Sequence, residues 1–406
     1  MRPAPRAGAG VSPPDDELGL LAGRLSPRLQ EQPVRLGAWM PFGRAAGELA
    51  WLTQVSVSEA TACRLAETAG AAYVAEQEAE QARIEQQAPP PPRGPAVQLL
   101  SADGAMVPPV GGGFAEVKTL AVGTVVAGDG ADGSPPVHAA ELSYFSRLAD
   151  AATFTRAALV ETQRRGTETA GRVVGVVDGA EWLQACLDFH RPDAVRVLDF
   201  AHAVGHLTTA AQATFGIGTA AAAWLAAQAH ALKHGDPAAV LTAVGALPTA
   251  HAADPRAAAE AAATTRAYLA KRRAQIPYAT FRARGYPIGS GSVESANKLV
   301  VEARLKGSGM HWARHHVNPL LALRTAVCAD RWDEAWPRIV ARRRAAARRR
   351  RPAPLSPPSA ALPIASAPAA RPAPPAPLRP TTIVDGRPTK AHPGNRRFLP
   401  DRRKAG

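Results

Sequence analysis

The chain has 406 residues, 46% hydrophobic and only 5% aromatic, enough for two or three domains around an interior rich in alanine helix. Its formal charge of +14 is uneven: residues 338–406 carry 17 Lys and Arg against two acids, so the rest of the chain is close to neutral and the basic surplus belongs to a tail suited to polyanions. Three scattered cysteines (Cys63, Cys186, Cys328) lack CxxC or Cys/His metal spacing, and no window approaches 18 uncharged apolar residues, which argues against disulfides, a zinc site, a signal peptide and a membrane span.

Residues 1–36 read as a disordered or extended leader. Over 42–72 two short helices are predicted. Phe42, Ala46, Leu49 and Leu52 share one face of the first; Ser56 or Ser58 caps the second, which carries Ala60, Cys63, Leu65 and Ala66 and stops near Gly70. Two short helices joined this way fit a helix-turn-helix, and equally a helical hairpin packed on a core. A charged helical stretch follows at 75–87. The "APPPPRGP" of 88–95 then leaves helix and marks a boundary after a module spanning 37–88.

From there the period changes to that of strands. "VQLLSADGAMVPPV" and "AEVKTLAVGTVVAG" flank a glycine turn, a loop occupies 128–136, and a third strand begins near His138. A helix over 151–165 precedes "GRVVGVVDG", a nearly continuous apolar run suited to a buried central strand. An amphipathic helix at 180–189 and a strand ending at Asp199 follow, giving an α/β core over 96–206. Residues 207–284 read as all helix. A Gly/Ser loop then feeds a strong helix, and the last folded helix spans 317–336 within a unit of 285–337. The Arg/Pro/Ala-rich 338–406 is expected to stay unfolded.

Four acids stand out. Asp178 and Asp199 each close a strand, Asp103 interrupts one beside a glycine, and Glu294 lies in the first turn of the helix opened by "GSGS". In an open α/β sheet, sites form at the carboxyl ends of strands. On the final helix Val293, Ala296, Val300 and Ala303 make the apolar face, while Glu294, Asn297, Lys298 and Val301 form the adjoining stripe. Each acid alone has an ordinary explanation as a turn or cap residue. Together they suit phosphodiester chemistry, in which carboxylates hold two Mg²⁺ or Mn²⁺ ions that activate the attacking oxygen and stabilise the leaving one.

The stretches "LGAWMPFGRAAGELAWLTQVSVSEAT", "LSADGAMVPPVGGGFAEVKTLAVGTV", "VVDGAEWL", "LDFAHAVGHL" and the long "YPIGSGSVESANKLVVEARLKGSGMHWARHHVNPLLALRTAVCADRWDEAW" span residues 36–336 with gaps. They resemble the transposases of ISKra-type bacterial insertion sequences, relatives of the Mutator-like group. That resemblance implies a ribonuclease-H-like catalytic core with an all-α insertion, and metal-ligating catalytic residues at Asp103, Asp178 and Glu294. It places the family's short Asp/Cys-x-x-His signature on Asp199 and His202, and Asp199 remains an alternative to Asp178 as the second metal ligand.

Asn297 and Lys298 are supporting candidates. Arg304, Lys306, Trp312, Arg314 and Arg324 are candidate DNA contacts by their basic and aromatic character. His311, His315 and His316 read as DNA-facing or simply polar, and the arginines of 342–344 and 348–351 as sequence-independent attachment to DNA. The partners implied are double-stranded DNA, both terminal inverted repeats and target, and a second copy of the chain; the setting implied is a bacterial cytoplasm, at the nucleoid. A catalytically silent transposase-derived DNA-binding protein and a ribonuclease-H-like nuclease are the alternatives.

Overall fold

The computed structural model describes residues 25–127 and 137–350, together with a short backbone pairing near the C-terminus. The chain divides into two units, residues 1–351 and 352–406. In the second, Ile383–Val384 pairs antiparallel with Arg387–Pro388. Most of the predicted leader, the 128–136 loop and nearly all of the tail beyond residue 350 lie outside the described residues.

The first unit opens with three helices, α1 (Pro27–Trp39), α2 (Phe42–Thr53) and α3 (Glu59–Gln87). Pro27 at the first position and the Ser26 hydroxyl, which accepts from Leu29 N at 3.3 Å, start α1 inside the segment expected to be a leader. Ser58 caps α3 by accepting from Thr61 N at 3.2 Å. The expectation of two short helices is corrected here, because α3 runs 29 residues without stopping at Gly70. Gly70 serves packing: a Cβ there would lie 2.2 Å from the Pro319 carbonyl oxygen. Its usual cost within a helix is offset by close approach to the helix that carries Pro319.

A five-stranded sheet follows, formed by β1 (Val97–Val107), β2 (Ala115–Ala127), β3 (Val137–Arg147), β4 (Arg172–Val177) and β5 (Val195–Leu198). Its order is β3-β2-β1-β4-β5. The β1–β2 and β2–β3 pairs are antiparallel, while β1–β4 and β4–β5 are parallel. Between β3 and β4 run α4 (Ala151–Ala157) and α5 (Leu159–Arg164), and α6 (Glu181–His190) crosses from β4 to β5. Five helices then occupy residues 200–283: α7 (Phe200–Phe215), α8 (Thr219–His234), α9 (Pro237–Gly245), α10 (Pro255–Lys271) and α11 (Tyr278–Ala283).

Past a Gly/Ser loop comes α12 (Gly291–Ala296), a π-helical turn (Asn297–Glu302) and the short α13 (Ala303–Leu305). The chain ends this unit with α14 (Arg314–Cys328) and α15 (Trp332–Arg350). The single helix expected over 317–336 is thus two, broken at Asp330 with φ 55°. The basic run starting at Arg338 continues α15 as helix instead of beginning an unfolded tail. The π-turn also changes which side chains are buried: Val301 is in the core and Ala303 is exposed, the reverse of the reading for an uninterrupted α-helix.

Strand alternation divides the core. Leu99, Val174, Val176 and Val197 face α7–α11, whereas Leu100, Ala102, Val173 and Val177 face α4 and α6. Farther along β1, Ala105 and Val107 face the cluster built from α12, the π-turn and α14. A fourth cluster joins Val34, Ala66, Ala69 and Tyr73 of α1 and α3 to Leu323, Val327, Trp332 and Ile339 of α14 and α15, so the N-terminal helices pack on the C-terminal ones. Among the described residues no helix is long and apolar enough to cross a membrane.

Gly70→Ala forces a methyl group against backbone and is expected to cost about 1–3 kcal/mol. Gly47→Ala, in α2 with nothing within 4 Å of its Cβ, is expected to be neutral or stabilising. Urea unfolding of both variants checks this; equal midpoints would remove the packing role assigned to Gly70.

Candidate active site

By alternation Asp103 points to the same side of β1 as Leu99 and Ala105, at the seam between the helical block of α7–α11 and the cluster of α12–α14. The parallel register pairs Leu100 with Gly175 and Val177 with Leu198. Carried three residues on, it sets Asp178 level with Asp103; one residue on, it sets Asp199 level with Asp178. Three aspartates therefore form a row across β1, β4 and β5 where the two parallel strands end.

Their side chains are held differently. Asp103 is half-buried; its Oδ1 accepts from Gly104 N at 2.7 Å and its Oδ2 from Asn297 Nδ2 at 3.0 Å. Asp178 is half-buried; its Oδ1 accepts from Ala180 N at 2.8 Å, and no hydrogen bond reaches its Oδ2 among the described residues. Asp199 is 4% exposed and both its oxygens are engaged, Oδ2 by His202 N and Oδ1 by Ser290 N, each at 2.7 Å. It caps α7 and pins the Gly/Ser loop that leads into α12. Glu294 is exposed and accepts from the Ser290 hydroxyl at 2.8 Å. Asn297, the first residue of the π-turn, is buried, and its own Oδ1 has no hydrogen-bond partner among the described residues.

Burial pushes the Asp103 carboxyl above the usual carboxylate range, and the charges of Asp178 and Glu294 push it in the same direction; the hydrogen bonds from Gly104 and Asn297 oppose them. Asp103 is thus the acid on which the other two charges act. No Lys or Arg forms an ion pair with any of the three among the described residues. Carboxylate oxygens with uncompensated charge are the donor set that hard divalent cations prefer. As the side chains stand, no three His, Cys, Asp or Glu among the described residues are gathered into an ion-binding cluster.

Two residues not singled out in the sequence hold Asp178 in place. Tyr268 donates its hydroxyl to the Asp178 carbonyl at 2.6 Å, and Arg272 donates through Nε and Nη2 to the Gly179 carbonyl. Gly179 has φ +86°, and a Cβ there would meet Arg272 Nε at 2.4 Å, so glycine is required both for conformation and for space. Arg272 lies over the Tyr268 ring at 3.9 Å, and His206 stacks on the same ring with centroids 3.8 Å apart. Burial, His202 and Arg272 all push the His206 pKa down. His202 is exposed beside this stack, 5.2 Å from His206 between ring centroids. A lone Tyr and Arg near the end of a long alanine-rich helix give no local signal of this role.

The candidate DNA contacts separate into two groups. Arg304 and Arg324 are each 1% exposed, which corrects their reading as surface cations. Arg304 donates to the Gly37 carbonyl at 2.9 Å and lies over the rings of Phe42 and Trp312; burial pushes its pKa down to about 10. Arg324 lies over Trp39 and donates to the carbonyls of Ala38, Leu299 and Val300. Trp312 is half-buried and donates to the Leu305 carbonyl at 3.0 Å. Lys298, Lys306, Arg314, His311 and His315 are exposed, although Lys306 pairs with Glu302 at 2.7 Å. His316 pairs with Glu67 at 2.8 Å.

No protein-family model matches the chain, and no curated protein is significantly similar to it.

The raised pKa of Asp103 makes a stability prediction. Its charged form is penalised in the fold, so the penalty is absent below the unfolded carboxylate range and develops as pH rises through the folded pKa. Asp103→Asn is therefore expected to raise Tm at pH 7, with the gain fading as pH falls toward 3. A pH-independent change in Tm would contradict the electrostatic origin.

Proposed function

We propose that this protein is a DDE-type DNA transposase with a ribonuclease-H-like core, in which Asp103, Asp178 and Glu294 are the catalytic acids. The observation that carries the reading is the hydrogen bond from Asn297 to Asp103. It brings the helix of Glu294 onto the central strand, whose neighbour β4 is followed directly by Asp178. The sheet order, with an antiparallel β1–β2–β3 meander beside the parallel β4 and β5, supports a ribonuclease-H-like core, and α7–α11 would be its helical insertion.

In this reading the three carboxylates would hold two Mg²⁺ or Mn²⁺ ions, which when bound polarise the phosphodiester and favour deprotonation of the attacking oxygen. Asp178 is favoured over Asp199 as a ligand because one of its oxygens is unengaged, whereas both of Asp199 are taken by backbone amides. Asp199 would shape the site by holding the Gly/Ser loop, and Tyr268 and Arg272 would fix the turn that presents Asp178. At an element end, water attacks the phosphorus and the bond to the 3′ oxygen breaks, leaving a 3′-hydroxyl. That hydroxyl then attacks a target phosphodiester, forming a new phosphodiester and releasing a strand end. Exposed Lys298, four residues after Glu294 on the same helix, would neutralise a backbone phosphate there, and exposed Arg314 is a second candidate for phosphate contact.

Cleavage of a duplex carrying the DNA that flanks the gene, with any inverted repeats it contains, tests this with and without Mg²⁺. Asp103→Ala, Asp178→Ala and Glu294→Ala are expected to reduce strand cleavage to background while retaining binding to the repeats. Activity comparable to wild type in any one of them would remove that residue from the triad. Tight repeat binding without cleavage by the wild type would favour a silent DNA-binding protein. Preference for RNA–DNA hybrids would favour a nuclease.

A further inference from the structure

A π-turn places one extra residue in a helical turn and loosens the regular carbonyl pairing of the α-helix. Here it occupies Asn297–Glu302, directly after the turn that holds Glu294. It begins at the residue that bonds Asp103. Within it Val300 and Val301, and past it Leu305, are fully buried. The extra residue thus lets one helix satisfy two demands: Asn297 meets β1, and the following apolar residues meet the core.

The Arg324 guanidinium lies against this turn from α14. It donates Nε to the Val300 carbonyl at 3.4 Å and Nη2 to the Leu299 carbonyl, and it reaches the end of α1 with Nη1 to the Ala38 carbonyl at 3.0 Å. Burial pushes its pKa down, and its ion-pairing needs are met by carbonyl dipoles and the Trp39 ring, 4.7 Å from Cζ to centroid. Arg304 is equally buried and bonds Gly37 at the same end of α1, yet donates to none of the π-turn carbonyls.

We propose that Arg324 is a positioning residue, which holds the π-turn in register and thereby fixes Asn297, and with it Glu294, against Asp103. The inference rests on the reading of these acids as the catalytic site. A planar fork bonding several carbonyls at once cannot be replaced by a point ammonium, so Arg324→Lys removes the clamp while keeping charge and most of the volume.

The experiment uses the full chain and compares Arg324→Lys with Arg304→Lys, Asn297→Ala and the double variant Arg324→Lys/Asn297→Ala. Three measurements are made: hydrogen exchange over 291–306, Tm, and steady-state cleavage of the repeat duplex. Arg324→Lys is expected to speed exchange at 297–302 and to lower kcat by about tenfold or more, as sub-ångström to ångström misplacement does, with KM nearly unchanged. Arg304→Lys, with a comparable loss of Tm, is expected to leave exchange at 297–302 and kcat near wild type. The double variant is expected to be no slower than Asn297→Ala, because both act on one contact. Multiplicative losses in the double variant, or equal effects of the two arginine variants, would overturn the proposal in favour of general structural arginines. If the wild type cleaves no DNA, the catalytic reading fails. The exchange data then still decide whether Arg324 holds the turn, and unchanged exchange in Arg324→Lys overturns the clamp itself.

Discussion

The hydrogen bond between Asn297 and Asp103 joins residues 194 positions apart, and the rest of the site depends on it. Asp103 leaves the central strand at a seam between two helical blocks, where its carboxylate loses solvation without gaining a cation. The amide of Asn297 supplies part of the missing stabilisation and in doing so brings the helix of Glu294 to the sheet. Like charges gathered in a half-buried seam are unfavourable by themselves, and the apolar clusters on either side of the seam hold the backbone that carries them.

The surroundings of the acids follow one pattern, in which backbone groups freed by irregular geometry are taken up by long polar side chains. Tyr268 and Arg272 reach from the end of α10 and beyond it to the carbonyls of Asp178 and Gly179. Asp199 takes the amides of His202 and Ser290. Arg324 takes the carbonyls of the π-turn and of α1. Buried backbone groups left without partners are costly, so each of these contacts specifies where a loop or helix end must lie.

Much of this was readable along the chain wherever the signal is local. The period-two runs marked the strands, the apolar run before Asp178 marked a strand buried within the sheet, and Gly/Ser followed by an amphipathic pattern marked the helix of Glu294. Acids at strand ends were visible as candidates because strand ends are where an open sheet forms its sites. The π-turn was not visible: the spacing of Val293, Ala296 and Val300 also fits an unbroken α-helix, and only packing against β1 and α14 selects the wider turn. Gly70 reads as a helix stop until Pro319 is found against it.

The sequence by itself determined the α/β class and singled out acids at strand ends as candidates, because periodicity and strand-end chemistry are properties of neighbouring residues. Only the tertiary structure decided that Asp199 is held by backbone amides on both oxygens while Asp178 keeps one free. It also decided that Arg304 and Arg324 are interior ties and not surface cations. A guanidinium carries the same charge in either setting; which one it occupies depends on whether distant carbonyls and aromatic rings close around it, and that is settled only when α1, the π-turn and α14 meet.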